Sequence, residues 1–281
     1  MELMRVGPRG QEIPVVRLNG RHYDVRPLTG DFNAEFWAHG MNTLTTAQVK
    51  DCQEINIDAR RIGAPVAQPG AIICIGTNYA AHATEAGLPT PTHPVVFLKT
   101  PNTVAGPYDE LEPPRRFSQL DWEVELAVII GQATHNLDSP EQAREHIAAY
   151  TVANDLSERV FQTQESGGQW SKGKCFPGAL PLGPVAVSAD AFDPTNARLT
   201  SHVNGEPRQD SSTADMVFDV FHLVYDLSQY MRLEPGYVIA TGTPQGVAMS
   251  GQYPYLESGD VVEVAIEGLG TQRTQIGIMA P

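Results

Sequence analysis

Two glutamates stand in a stretch whose other residues are mostly apolar. Residues 121–130, DWEVELAVII, have the composition of a buried strand, and successive strand side chains point to opposite faces. Glu123 and Glu125 therefore share a face with Asp121. Neighbouring buried carboxylates repel and lose hydration, so they need a cation, a positive side chain or a shared proton. A divalent metal bound through oxygen meets this need, whereas a solvated sheet face with ordinary salt bridges would explain the pair without one.

A third carboxylate follows the next apolar strand. Asp155 stands in TVANDLSER, residues 151–159, and can supply another oxygen ligand beside Glu123 and Glu125. Three carboxylates with further positions open to water or substrate suit Mg²⁺ or Mn²⁺. The alternative is that Asp155 caps a helix beginning near Leu156.

A histidine and a glutamate follow a glycine turn after the apolar run 72–75. His82 and Glu85 have i, i+3 spacing, so on a helix they share one face and the carboxylate can orient the imidazole as a general base. A histidine that lies on the surface or packs in the core is the alternative interpretation.

Two loops carry groups that suit an anionic substrate. Lys172 and Lys174 stand in a Gly- and Pro-rich loop, where one ammonium can bind a carboxylate; two solvated lysines are the alternative. Residues 241–246, TGTPQG, follow an apolar strand directly, so amides and hydroxyls can converge there on an anion. The same residues are also typical of a tight turn.

The composition limits the class of protein. The chain has 281 residues and 41% hydrophobic content. Its net charge of -14 opposes general binding to nucleic acid or to anionic membranes. Its three cysteines are isolated, which favours neither a disulfide framework nor a zinc site. No apolar run reaches the roughly 18 residues of a membrane span. We expect a soluble cytoplasmic protein.

Two units are expected along the chain: a small α/β N-terminal domain over residues 1–66 and a catalytic domain over residues 67–281. In the first, Asn19-Gly20 predicts a tight hairpin, and Asp31 can cap a short helix. Short strands predominate in the second, separated by Gly- and Pro-rich turns. They are predicted over residues 72–75, 95–99, 123–130, 150–153, 185–188, 238–241 and 261–266.

Two longer helices are predicted, over residues 139–148 and 214–231. Ser139 can cap the first, and the second has Met216, Val220, Leu223 and Tyr230 at core-packing spacing. Strands outnumber helices without regular βαβ alternation. This favours an α+β fold of mixed sheets with few helices over a Rossmann sheet or an eight-fold barrel.

Several motifs, in this order, resemble those of the fumarylacetoacetate hydrolase family. They are G-x-N-Y-x-x-H-x-x-E at 76–85, E-x-E at 123–125, N-D-x-S-x-R-x-x-Q at 154–162, G-K at 173–174 and G-T-P-x-G-V at 242–247. The N-terminal unit resembles that of bacterial 2-hydroxyhepta-2,4-diene-1,7-dioate isomerases and 2,4-diketo-3-deoxy-fuconate hydrolases. The chain departs from common family usage at Ala81, at Cys175 and the residues after it, and at Tyr237, and the second departure bears on substrate identity.

The resemblance implies a role for each motif residue. Glu123, Glu125 and Asp155 would be the metal ligands, and His82 with Glu85 a water-activating pair on a lid. The groups that hold and polarise a small anionic oxo acid would be Asn78, Tyr79, Arg159, Gln162, Lys174 and Thr243. The resemblance also implies a homodimer. Asp121 receives no role.

The resulting hypothesis is a Mg²⁺- or Mn²⁺-dependent hydrolase that cleaves a carbon–carbon bond in a small 2,4-dioxo acid of the acylpyruvate type, through an enolate held on the metal. Its Lys174 would stabilise developing negative charge, with the His82–Glu85 pair activating water. The same groups would also serve isomerisation of a 2-hydroxyhepta-2,4-diene-1,7-dioate or decarboxylation of a 2-oxo acid such as oxaloacetate. A metal-stabilised binding protein without catalysis is the alternative outside enzymes.

Overall fold

A computed structural model describes residues 1–278, and its strands form sheets rather than βαβ units. The strands are β1 (Glu2–Val6), β2 (Ile13–Leu18), β3 (Arg21–Asp24), β4 (Gln53–Glu54), β5 (Ile62–Gly63), β6 (Ile72–Gly76), β7 (Val95–Lys99), β8 (Val104–Ala105), β9 (Leu120–Asp121), β10 (Val124–Ile130), β11 (Ile147–Asn154), β12 (Ser157–Glu158), β13 (Leu180–Pro181), β14 (Ala186–Ser188), β15 (Arg198–Val203), β16 (Glu206–Ser212), β17 (Val238–Ala240), β18 (Val261–Ile266) and β19 (Gly270–Gln275).

The helices are short. They are α1 (Met41–Thr43), α2 (Thr46–Lys50), α3 (Ala80–Glu85), α4 (Ala143–His146) and α5 (Val220–Ser228), with π-helical segments at Phe36–Gly40 and Val160–Gln164 and 3-10 turns at Pro101–Thr103, Pro140–Gln142, Trp170–Gly173, Ala189–Ala191, Thr213–Asp215 and Ala248–Ser250. The predicted α+β fold with few helices is confirmed.

Two sheets organise the chain. The larger runs in the order β4-β3-β2-β1-β14-β11-β10-β17-β6-β7, with β5 paired to β1. Its pairs are antiparallel except β17 with β6, which run parallel. The smaller is antiparallel, in the order β16-β15-β18-β19. Because β6 and β17 are parallel, their carboxyl ends meet beside the beginning of β10.

Apolar side chains fill both faces of the larger sheet. Val124 and Leu126 of β10 belong to a core cluster that includes Val262 and Val264 of the smaller sheet. The alternate residues Ala127 and Ile129 belong to a second cluster on the other face. This alternation fixes the register of β10, since a slip of one residue would exchange the two sets.

The seven predicted strands of the second unit are present, with shifts of a few residues at their ends. The predicted helix over 139–148 ends at His146, because the apolar residues from Ile147 onward pair with β10 as β11.

The predicted helix over 214–231 is wrong as a continuous element. A 3-10 turn ends at Asp215, and α5 begins only after Asp219, whose carboxylate accepts a hydrogen bond from the amide of His222. Between them, Met216 bridges to Tyr79. Tyr230 lies beyond α5 and is 74% exposed, so it is not a core residue.

The hairpin prediction in the N-terminal segment is confirmed, because Asn19 and Gly20 both have positive φ between β2 and β3. The capping role predicted for Asp31 is wrong: its carboxylate binds Arg5 and the amide of Phe32. Asn33 instead accepts a hydrogen bond from the amide of Phe36.

The N-terminal strands are continuous with the larger sheet, since β1 pairs with β14 at Glu2–Val187 and Leu3–Ala186. The boundary near residue 66 stays a prediction. Within residues 1–278, none of the helices has both the length and the apolar character needed to cross a membrane.

Candidate active site

Three carboxylates meet where β10 begins and β11 ends. The antiparallel register pairs Val124 with Asn154, so Asp155 follows directly opposite Glu123, and its amide donates to the Glu123 carbonyl at 2.9 Å. Each of Glu123, Glu125 and Asp155 offers a carboxylate oxygen within 4.8 Å of the others. All three are buried, so a solvated sheet face is not the explanation for the glutamate pair. No helix begins at Leu156 within the described chain, which excludes the capping role for Asp155.

Buried ammonium groups contact these carboxylates. Lys174 Nζ lies 2.7 Å from both Glu123 Oε2 and Asp155 Oδ2. Lys99 Nζ lies 2.6 Å from Asp155 Oδ1. Of the two lysines in the glycine-rich loop, Lys174 is therefore buried in the cluster, whereas Lys172 is exposed and donates to the carbonyl of Glu165.

The three carboxylates differ in charge balance. Burial opposes ionisation of Glu123, but Lys174 and Arg159 outweigh it and lower the Glu123 pKa to about 2. Burial raises the pKa of Glu125 well above its ordinary value, and the negative charges of Asp155 and Glu123 raise it further. In the described part of the chain, the Glu125 carboxylate accepts a hydrogen bond only from the Gly242 amide, at 2.9 Å.

This donor set fits a hard divalent cation. The cluster offers three close carboxylate oxygens, and one of them belongs to Glu125, whose negative charge the neighbouring ammonium groups compensate least. An ion there would supply the missing positive charge. The carboxylate oxygens would be its ligands, and oxygen ligands are the kind that Mg²⁺ and Mn²⁺ prefer.

Arg159 joins the cluster to a second acid. Its guanidinium lies 2.8 Å from Glu123 Oε1, and it lies 2.7 Å from Asp121 Oδ2. Asp121 also accepts hydrogen bonds from the amides of Ala248 and Met249. The short strands β9 and β12 pair Asp121 with Ser157, which brings Arg159 to this acid. Asp121, which received no role from the sequence, is thus the anchor of Arg159.

The predicted histidine pair lies on α3, the helix after β6. His82 is buried, and its Nδ1 lies 3.5 Å from Glu85 Oε2 without hydrogen-bond geometry. Both carboxylate oxygens of Glu85 lie 3.1 Å from the amide of Gly246, which holds the side chain in place. The Gly246 amide belongs to the TGTPQG turn, so this turn positions Glu85.

A cavity of about 350 Å³ joins the pair to Glu123 and Glu125; Asp155 is not among the described residues that line it. Eight predicted site residues line it, namely His82, Glu85, Glu123, Glu125, Arg159, Gln162, Lys174 and Thr243. Gln162 accepts a hydrogen bond from Arg159 at 2.9 Å. Thr243 donates to the Val124 carbonyl and accepts from Gln209, so its hydroxyl is fixed at the cavity wall.

Two of the predicted substrate-binding residues lie elsewhere. Neither Asn78 nor Tyr79 is among the described residues that line the cavity. The Asn78 amide binds Phe218 and the carbonyl of Thr241, so it ties the end of β6 to that of β17. The Tyr79 side chain is buried, and burial together with the charge of Glu125 raises its pKa. A substrate contact at either residue stays a prediction.

Sequence reasoning missed Lys99 and the aromatic wall of the cavity. Lys99 ends the apolar run VVFLK, where it looks like an ordinary strand terminus. Phe97, two residues earlier, is buried on the same face, and this alternation was the available signal. No sequence signal pointed to Trp170, because it stands in a Gly-rich loop. Only the tertiary structure brings this loop against Phe97, with the two ring centroids 5.7 Å apart.

Comparisons with known proteins show the family to which the chain belongs. Residues 71–277 match the model of the fumarylacetoacetate hydrolase C-terminal domain. The 2,4-didehydro-3-deoxy-L-rhamnonate hydrolase of Sphingomonas sp. (strain SKA58) is 38% identical, over 98% of this chain and 96% of its own.

Two solved structures superpose on nearly the whole chain. Fumarylacetoacetate hydrolase from Exiguobacterium antarcticum has a TM-score of 0.88 and 38% identity, covering 99% of both chains. Maleylpyruvate hydrolase from Sphingobium sp. SYK-6, in complex with manganese(II) and pyruvate, has a TM-score of 0.83 and 25% identity, covering 100% of both. The chain belongs to the fumarylacetoacetate hydrolase family.

Proposed function

We propose that this protein is a Mg²⁺- or Mn²⁺-dependent hydrolase that cleaves a carbon–carbon bond in a small 2,4-dioxo acid of the acylpyruvate type. The observation that carries the proposal is the shared cavity: the His82–Glu85 pair and two of the three clustered carboxylates, Glu123 and Glu125, line the same space. The relatives named as hydrolases of a didehydro-deoxy sugar acid and of maleylpyruvate support it.

Glu123, Glu125 and Asp155 would hold the ion. When bound, a divalent ion supplies a Lewis acid beside the substrate oxygens. Lys174, whose Nζ lies 2.7 Å from Glu123 and from Asp155, adds a positive charge on the same side of the cavity. Because Lys174 is buried, its charge acts in a medium of low dielectric and stabilises a developing anion more than a solvated lysine would.

His82 would activate water. The Glu85 carboxylate, fixed by the Gly246 amide and 3.5 Å from Nδ1, would orient the imidazole with Nε2 as the base. His82 takes a proton from water, and the water oxygen adds to the distal carbonyl of the substrate.

The bond between the distal carbonyl carbon and the methylene carbon breaks, and its electron pair moves onto the pyruvate part. A proton, returned by His82 or by water, converts that part to pyruvate, and the acyl part leaves as a carboxylic acid. Arg159 and Gln162, which line the same cavity, would bind the oxygens of the pyruvate half.

The test is to incubate the purified protein and Mg²⁺ or Mn²⁺ with acylpyruvates, oxaloacetate and a hydroxymuconate-type dienoate, and to measure pyruvate and the released acid. Turnover of oxaloacetate alone, or isomerisation of the dienoate without cleavage, would contradict the proposal. His82→Asn should lower kcat for cleavage by about 10²- to 10⁴-fold, the range for loss of a general base. His135→Asn, at an exposed histidine outside the cavity, is the control.

A further inference from the structure

We propose that the acyl group of the substrate is uncharged and largely apolar, so that the enzyme prefers alkyl or aryl acylpyruvates to those that carry a second carboxylate. This inference rests on the proposed function, because it concerns which acylpyruvate the same cavity accepts. It follows from the distribution of charge and apolar surface along the cavity wall.

An apolar wall leads from the buried charges to the solvent. Phe97 lies beneath Lys174, whose Nζ is 4.9 Å from the ring centroid, and Trp170 packs against Phe97. Exposure rises along the wall, from 4% at Phe97 through partly buried Trp170 to 45% at Leu88. A substrate whose carboxylate and carbonyls lie at the charged end therefore extends its acyl group along this wall. Burying alkyl or aryl surface there stabilises the bound substrate through the hydrophobic effect.

The cations of the cavity are already engaged. Among the described residues that line it, the lysine and the arginine are Lys174 and Arg159. Lys174 contacts Glu123 and Asp155, and Arg159 contacts Asp121 and Glu123. A second substrate carboxylate beside the partly buried Trp170 would lose hydration without gaining a cation, which is strongly unfavourable.

Trp170 is the specificity-determining residue of this wall. A Cβ atom at Gly76 would approach the Trp170 ring to 2.3 Å, so the ring occupies space that a glycine leaves free. The 3-10 turn Trp170–Gly173 leads directly into Lys174. The side chain that packs on the acyl group and the ammonium that acts on the reacting oxygens thus belong to one short segment.

Arg208 is the cation that a diacid substrate would need. It lines a neighbouring cavity that shares Glu85 with the first, and its guanidinium lies over the Tyr253 ring, 4.8 Å from the centroid. It is not among the residues that line the main cavity, so a carboxylate could use it only by extending past Glu85, where the like charge opposes it.

The experiment compares matched substrates with the metal-loaded enzyme. We expect kcat/KM for 2,4-dioxoheptanoate to exceed that for 2,4-dioxoheptanedioate by about 100-fold or more, because only the diacid buries an unpaired charge. Trp170→Ala should lower kcat/KM for 2,4-dioxoheptanoate about 10-fold, with a smaller effect on acetylpyruvate, whose methyl group is too short to cover the ring. Tyr230→Ala, at an exposed tyrosine outside the cavity, should change neither value.

Equal or better turnover of the diacid would overturn the inference, and its loss in Arg208→Ala would identify the residue that binds the second carboxylate. If no acylpyruvate releases pyruvate, the proposed function fails, and binding decides the inference separately. Quenching of tryptophan fluorescence by 2-oxohexanoate and 2-oxoadipate, two acids of equal carbon number, then gives the comparison. Tighter binding of 2-oxohexanoate supports an uncharged acyl group, and tighter binding of 2-oxoadipate refutes it.

Discussion

Asp121→Asn is predicted to destabilise the protein far more than the loss of a surface ion pair. In the folded protein, Asp121 Oδ2 accepts from Arg159 and from the Met249 amide, and Oδ1 accepts from the amides of Trp122 and Ala248. An asparagine must turn its NH₂ group toward one of these two sets of donors. Either orientation leaves donors facing each other and removes half of the charge balance of Arg159.

The magnitude follows from burial, since both partners are almost fully buried. Removing one partner of a buried ion pair costs about 3–5 kcal/mol. For a domain somewhat smaller than this one, each kcal/mol corresponds to a change of about 2–4 °C in Tm, so a fall on the order of 10 °C is expected.

The assay is urea unfolding at constant pH together with a thermal scan for Tm, both followed by circular dichroism. Asp210→Asn is the matched control: the Arg198–Asp210 pair has the same 2.7 Å separation, but its side chains are 63% and 61% exposed. The control should lose no more than about 1 kcal/mol. Equal losses in the two variants would refute the reasoning, because burial is the variable that separates them.

Two further variants test the charge balance of the carboxylate cluster. Lys99→Met leaves Asp155 with one ammonium and should cost about 3–5 kcal/mol of unfolding free energy in urea, whereas Lys172→Met, at an exposed lysine, should stay within about 0.5 kcal/mol. Glu125→Gln tests the raised carboxyl pKa. Above pH 4.5 and up to that raised pKa, the folded ion-free protein holds a proton that the unfolded chain has lost. Stability in EDTA should therefore fall with rising pH by up to about 1.4 kcal/mol per unit, a slope that the glutamine removes and that would persist in the variant if the reasoning were wrong.

The strands were predictable because buried strands have a recognisable local pattern of apolar residues. Val124 and Leu126 alternate with the two glutamates at the start of β10, Val128 alternates with Ala127 and Ile129 further along, and both faces are buried in the fold. The helical pattern across residues 214–231 was misleading for a related reason. Periodicity reports which side chains are apolar, but the cap at Asp219 and the bridge from Met216 to Tyr79 decide where the helix begins.

The candidate site was partly predictable for a different reason. Carboxylates in an apolar strand lose hydration when they are buried, so a positive group must lie near them. Glu123 and Glu125 could therefore be identified before their partners were known. Which cationic side chains lie beside these acids could not be predicted from the sequence, because strand pairing in the fold brings them together. Arg159 reaches Asp121 only through the pairing of β9 with β12, and Lys99 reaches Asp155 only because it ends β7 beside the cluster.

The continuity of the N-terminal strands with the larger sheet has a consequence for dissecting the molecule. The described residues before Ile72 contribute no side chain to the cavity, yet Leu3 and Trp37 share one apolar cluster with Ile72 and Val238. A protein shortened to the catalytic residues would expose that face to water and leave the outer edge of β14 unpaired. Such a fragment would keep every proposed catalytic group and still be prone to aggregate, so insolubility after truncation would not show that the N-terminal segment takes part in chemistry.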